Sequence, residues 1–129
     1  MTINQTAYTP VDLTDLATGA ALFRSLSDPT RLAIINQLAY GERRVADLVA
    51  DLDLAQSTVS AHVACLRECG LVVGRPDGRQ NFYSLAHPAL LDLLVSAEAV
   101  LAASGHSVSL CLNYGSGAGP DTQTAETPG

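Results

Sequence analysis

Between Gly70 and Pro88 the apolar period of this chain changes from that of a helix to that of a strand and back again, an interruption few small folds accommodate. Leu71-Val72-Val73-Gly74 and Asn81-Phe82-Tyr83-Ser84-Leu85 are β-prone runs flanking Arg75-Pro76-Asp77-Gly78-Arg79, whose Pro-Asp-Gly is a turn signal, so a β-hairpin is expected. Upstream, residues 12–26 set Leu13, Leu16, Ala17, Ala20, Phe23 and Leu26 on one helical face, with Asp12 suited to cap the start. Ser27-Asp28-Pro29 opens a second helix over 29–40 that stops at Gly41. Val45 to Asp51 forms a short third, Leu52-Asp53-Leu54 breaks it, and a fourth runs from Ala55 to Cys69, ended by Gly70. Downstream, His87-Pro88 opens a helix to about Ser104 in which Leu90, Leu91, Leu93, Leu94, Val95, Val100 and Leu101 occupy nearly every side. A helix apolar all round is buried on more than one face, which a small chain achieves most easily by dimerising.

Four helices, a hairpin and a last helix make a mainly α fold with a β-hairpin wing, a homodimeric winged helix-turn-helix, over residues 12–104. Residues 1–11 form a flexible N-terminus, 105–114 a C-terminal segment, and 115–129, rich in Gly, Ser, Thr and Pro, a tail expected to be disordered. At 129 residues the chain has room for one core, and 47% hydrophobic residues suffice to fill it. The nearly unbroken apolar run Ala97–Ala103 is far short of the roughly 20 residues of a membrane span. Met1 to Pro10 lacks a basic and an apolar signal region, so a cytoplasmic protein with no membrane partner is expected.

The net charge of −6 argues against a surface that is one polyanion-binding cushion. All seven cations are arginines, however, and all lie between Arg24 and Arg79, which is where any anion is met. Three cysteines, an odd number for a cytoplasmic chain, argue against a disulfide framework and leave metal binding, reactivity or plain burial.

Ser27-Asp28-Pro29-Thr30-Arg31-Leu32, Val45-Ala46-Asp47-Leu48, Gln56-Ser57-Thr58-Val59-Ser60-Ala61-His62-Val63, Leu66-Arg67, Gly70-Leu71-Val72 and Gly78-Arg79, in this order and spacing, resemble the ArsR/SmtB family of bacterial metal-responsive repressors. The resemblance covers residues 14–104. It implies a homodimer that binds double-stranded operator DNA without metal and releases it when metal binds. Family variants differ in where the metal sits. A Cys-x-Cys pair in the short third helix is absent, since Arg44 and Ala46 hold those positions; His87, Asp92 and Glu98 lack the spacing of a ligand set along the last helix. Cys65 and Cys69 in the fourth helix, with Cys111 beyond the last, resemble the cadmium- and lead-sensing CmtR-type members in all three cysteine positions.

Residues four apart on a helix have Cβ atoms about 5–6 Å apart, so Cys65 and Cys69 can share one ion. At 100° per residue the core stripe of their helix is Val59, Val63 and Leu66; the cysteines lie on a flank with Thr58 and His62, opposite Ser57, Ser60, Ala61 and Ala64. Three thiolates without a carboxylate form a soft site suited to Cd(II), Pb(II) or As(III), and His62 or His106 would draw it toward Zn(II). The resemblance favours Cys111 of the partner subunit as the third ligand. Against this stands burial of the cysteines as small apolar side chains, their frequent fate. A redox role is the other chemistry, although a pair at i and i+4 is poorly placed for a disulfide within an intact helix.

Gln56, Ser57, Thr58 and Ser60 at the start of the reading helix can meet base edges and phosphates. Ala55 stands where a Ser or Thr cap is usual, and Ser57 is expected to cap in its place. His62 is a scaffold residue or phosphate contact, Arg75 and Arg79 flank the hairpin tip, and Arg43 and Arg44 are candidate phosphate contacts. From Glu42 to Ala86 there are five arginines and six acids, so phosphate must be held by arrangement rather than by net charge. Other readings are a repressor triggered by thiol oxidation, an interaction module without DNA, and a cysteine-dependent enzyme with His62 or His106 as base. The enzyme is disfavoured, because Cys65 and His62 on one helix lack an oxyanion site and an orienting third residue.

Overall fold

The computed structural model describes residues 10–110. Five helices and a two-stranded sheet follow in the order α1 (Leu13–Ser25), α2 (Pro29–Leu38), α3 (Val45–Leu52), α4 (Gln56–Glu68), β1 (Val72–Asp77), β2 (Gln80–Leu85) and α5 (Ala89–Ala103). Each start has a local cause. Asp12 Oδ1 accepts from the Thr14 amide and Asp28 Oδ2 from the Arg31 amide, while Pro29 occupies a first-turn position where its missing N–H costs nothing. Asp53 in the left-handed region (φ 55°) ends α3, and Gly70 (φ 80°) lets the chain leave α4 toward the sheet.

The core forms where α2, α3 and α4 meet the base of the hairpin. Ile34, Ile35, Leu48, Val59 and Leu66 are fully buried, with Val63 and Val72 beside them and Leu90, Leu91 and Leu94 of α5 closing the cluster. The expected stripe Val59, Val63 and Leu66 is thus the face α4 turns inward. Arg43 exchanges both backbone hydrogen bonds with Tyr83, which ties the entry to α3 onto β2.

Two differences from the sequence reading matter. The strands run further than expected: β1 and β2 pair antiparallel from Val72↔Leu85 to Asp77↔Gln80, so the tip is Gly78-Arg79, with Gly78 at φ 65°. Pro76 lies inside β1, tolerated because a two-stranded sheet has only edge strands. Arg75 is therefore a strand residue, and only Arg79 sits at the tip. The second difference is α1, whose apolar face packs on little of its own chain: Leu13 is 78% and Phe23 60% exposed, and Leu26 is the one buried residue of the predicted stripe. The last helix likewise buries Leu90, Leu91 and Leu94 but leaves Val95 and Val100 exposed. The expected flexible terminus 1–11 is described only from residue 10, and the segment 105–114 only to Leu110; the tail 115–129 and Cys111 lie outside the described residues.

Leu48 is wholly enclosed where α3 meets the core. Leu48→Ala is expected to lower stability by about 2–5 kcal/mol in urea unfolding followed by circular dichroism.

Candidate nucleic-acid interface and thiol pair

The first turn of α4 carries Gln56, Ser57 and Thr58 exposed, with Ser60 half-buried one turn on. Ala55 is the N-cap residue, and no side chain caps the helix. Ser57 does not supply the substitute cap, because the helix already begins at Gln56 and leaves Ser57 within its first turn. The leading amides of α4 therefore carry the partial positive charge of an uncapped helix start.

Around this turn the fold assembles a groove of about 320 Å³, lined by Arg44 and Val45 at the start of α3, Gln56 of α4, and Arg79, Gln80, Asn81 and Tyr83 of the hairpin. Three predicted contacts, Arg44, Gln56 and Arg79, separated in sequence, thus border one depression. Arg79 makes no ion pair among the described residues. The three other predicted arginine contacts each face a carboxylate. Arg44 grips Asp47 through Nη2 (2.7 Å) and Nε (3.1 Å), while the Asp47 carboxylate also accepts from the Arg44 amide (2.9 Å). Arg75 donates twice to Glu42 (2.8 and 2.9 Å) and lies over the Phe82 ring at 5.1 Å. Arg43 approaches Asp51 at 4.0 Å. These carboxylates hold the Arg44 and Arg75 side chains in place.

His62 is half-buried, hydrogen-bonded on one side and facing a carboxylate on the other. Arg31 Nε donates to its Nδ1 (3.2 Å), which leaves Nε2 to carry the ring proton toward Asp28 Oδ2 at 3.7 Å. The contacts place the ring at the α2–α4 crossing. Arg31 and Asp28 were not singled out as site residues; they lie in the stretch that opens α2, and their partner is 31 residues away from Arg31, across the α2–α4 crossing. No local pattern could signal that pairing.

Cys65 is half-buried and Cys69, the C-cap residue of α4, is exposed, with the Cys69 amide bonded to the Cys65 carbonyl at 3.0 Å. The helical register therefore holds through Cys69, and the two thiols rise from successive turns outside the core stripe. Cys69 Sγ lies 2.8 Å from the buried hydroxyl of Ser25 at the end of α1. Two thiols fit a soft ion but do not complete a site, and among the described residues no group of three metal-ligating side chains occurs. Leu110, the residue before Cys111, is fastened at both backbone groups: its N–H donates to Glu98 Oε2 (2.6 Å) and its carbonyl accepts from Asn36 Nδ2 (2.7 Å). His106 is exposed.

Residues 28–73 match the bacterial regulatory protein family described as arsR. A Streptomyces lividans protein named "Probable mercury resistance operon repressor" is 36% identical over 105 residues, 81% of this chain and 84% of its own. The chain belongs to the arsR family of bacterial regulatory proteins. The regulator CmtR of Mycobacterium tuberculosis is 49% identical over 67 residues, 52% of this chain and 57% of its own. Among solved structures, a homodimeric winged helix-turn-helix DNA-binding domain from Mycobacterium bovis superposes with a TM-score of 0.64 at 26% identity, covering 73% of this chain and 87% of that one. As an arsR-family member the chain is a winged helix-turn-helix transcriptional regulator of a family that answers metals. No helix among the described residues is long and apolar enough to cross a membrane.

The Arg44 guanidinium and amide hold the Asp47 carboxyl well below the ordinary aspartate range, at about 2. Because the folded value is depressed, the stabilisation from this pair is complete above the ordinary carboxylate range and is lost as pH falls toward 2. Carboxyl ¹³C shifts should give an Asp47 midpoint near 2, returned toward the ordinary range in Arg44→Gln.

Proposed function

We propose that this chain is a repressor that binds double-stranded operator DNA as a metal-free homodimer and leaves it when a soft metal ion, Cd(II) or Pb(II), is held by Cys65, Cys69 and Cys111. The observation that carries this reading is the position of Cys65 and Cys69 on successive turns of the helix whose exposed first turn bears Gln56, Ser57 and Thr58. Ligand pair and reading turn belong to one rigid element.

A second copy of the chain is the natural cover for the exposed apolar residues of α1 and α5, Leu13, Leu16, Phe23, Val95 and Val100, and the Mycobacterium bovis relative is a homodimer. Two copies present two α4 helices to successive major-groove faces about 34–36 Å apart. Gln56, Ser57, Thr58 and Ser60 read base edges and phosphates, the uncapped start of α4 offers amides to a phosphate, and Arg79 at the wing tip meets the backbone. Arg43, Arg44 and Arg75, each beside a carboxylate, meet phosphates with their remaining N–H groups, and His62 braces the helix from behind. Such an interface depends on arrangement more than on charge, so a coupling of about 1–3 kcal/mol is enough to empty the operator.

A bound soft ion supplies bonds that draw thiolates together. Cys65 and Cys69 offer two sulfurs from α4, and Cys111 follows directly on Leu110, which Asn36 and Glu98 fasten. Joining the C-terminal segment to α4 resets the relative pose of the two reading helices, and the half-site spacing no longer fits.

Titration of the reduced protein with Cd(II) should raise an intense ultraviolet thiolate-to-metal band in step with release of a promoter fragment. Cys65→Ser, Cys69→Ser and Cys111→Ser should each keep metal-free DNA binding and weaken both responses; retention of metal-driven release in all three would overturn the reading. Parallel titrations with Zn(II), As(III) and Hg(II) rank the ions. The dimer is tested separately. Phe23→Asp, which puts a charge into the exposed face of α1, should shift sedimentation toward the monomer and weaken operator binding at least tenfold at equal chain concentration.

A further inference from the structure

Ser25 is the one buried polar residue among the described residues, 4% exposed at the end of a helix that is otherwise mostly open to solvent. Its hydroxyl has two neighbours, the Ala21 carbonyl one turn back in α1 at 3.0 Å and Cys69 Sγ, 44 residues on, at 2.8 Å. A serine hydroxyl has a single hydrogen. With that hydrogen directed at Ala21, the contact to sulfur is made by the cysteine: the S–H of Cys69 donates to Ser25 Oγ. The carbonyl of Ser25 in turn accepts from Arg31 Nη1 at 3.3 Å, and the same guanidinium donates to His62 on α4. The end of α1 is therefore tied to the reading helix at two levels, through the Cys69 sulfur and through Arg31.

We propose that Ser25 is a positioning residue for Cys69, whose hydroxyl fixes the sulfur against the end of α1 and reverses its hydrogen bond when that sulfur takes a metal ion. The inference rests on the thiolate reading given above and deepens it. A sulfur that bonds a metal ion gives up its proton to solvent and becomes an acceptor only. The contact at Ser25 then survives if the hydroxyl turns its hydrogen from the Ala21 carbonyl to the sulfur. Ala21 keeps its backbone partner in the helix, so α1 stays intact while its last turn loses one bond. Cys69 gains a donor that stabilises the thiolate and holds its orientation, the service that groups behind a metal ligand commonly perform. Occupation of the thiol pair is in this way registered in α1, the helix whose open apolar face the second copy covers.

The test uses the full-length reduced protein, with Ser25→Ala, which removes the hydroxyl, and Ser25→Thr, which keeps it. In metal-free protein, three-bond Hα–Hβ couplings should report one χ1 rotamer for Cys69 in wild type and Ser25→Thr and an averaged value in Ser25→Ala. Cd(II) affinity, from chelator competition followed by the thiolate band, should fall about tenfold in Ser25→Ala and stay within twofold of wild type in Ser25→Thr. In the Cys69→Ser background, Ser25→Ala should change affinity by less than twofold, since the hydroxyl acts through that sulfur. Unchanged Cys69 couplings in Ser25→Ala, or an equal loss of affinity in both backgrounds, overturns the proposal. Absence of any thiolate band in wild type would count against the metal reading alone, because the couplings decide the contact between Ser25 and Cys69 without metal.

Discussion

Burial of one stripe of α4, Val59, Val63 and Leu66, against Ile34 and Ile35 of α2 and Leu48 of α3 is the constraint from which the rest of the molecule follows. The stripe fixes the rotation of α4 about its axis. Once that rotation is set, every other face has an assigned direction: Ser57, Ala61 and Ala64 to solvent on one flank, His62 and Cys65 half-covered on the other. A helix that meets a partner has to be exposed on one face and buried on another. Thirteen residues with a three-residue apolar stripe meet both demands, and only residues off the stripe are left for chemistry.

The charge distribution obeys a second constraint. A chain with a net charge of −6 has no surplus of cations to spread over one face, and three of its seven arginines are paired with acids: Arg44 with Asp47, Arg75 with Glu42 and over the Phe82 ring, Arg43 near Asp51. Exposed pairs of this kind add little to stability. Their consequence is directional, since a guanidinium already fixed by a carboxylate loses less side-chain freedom when it meets a phosphate than one that wanders. They also weaken non-specific attraction to polyanions, because each cation arrives with its charge compensated.

Most of the secondary structure was legible because its signals are local. Asp12, Asp28 and Pro29 mark helix starts, Gly70 marks an end, and Gly78 marks the turn, each through a backbone requirement of one or two residues. The hairpin strands were read too short, because Pro76 looks like a breaker until the sheet is known to have only two strands. The face of α1 was identified correctly as apolar, but periodicity states only that a face is apolar, not which surface covers it. Of the site, the helical spacing of Cys65 and Cys69 was visible; the embrace of His62 by Arg31 and Asp28 and the contact of Cys69 with Ser25 were not. Those pairs form where α1, α2 and α4 cross, and nothing in either partner's neighbourhood announces the other.

That crossing also bears on how a signal travels. α1 contributes little apolar burial to its own chain beyond Leu22 and Leu26, and polar ties also join it to α4: the Ser25 hydroxyl on Cys69, and Arg31 spanning the Ser25 carbonyl and His62. Polar ties differ from apolar packing in being directional and in depending on where a proton sits. An apolar contact would hold α1 equally well whatever the state of the thiols. A hydroxyl shared between a helix carbonyl and a sulfur cannot be indifferent to it, because its single hydrogen serves one acceptor at a time. Two helices joined in this way can keep their own folds while the bond between them changes.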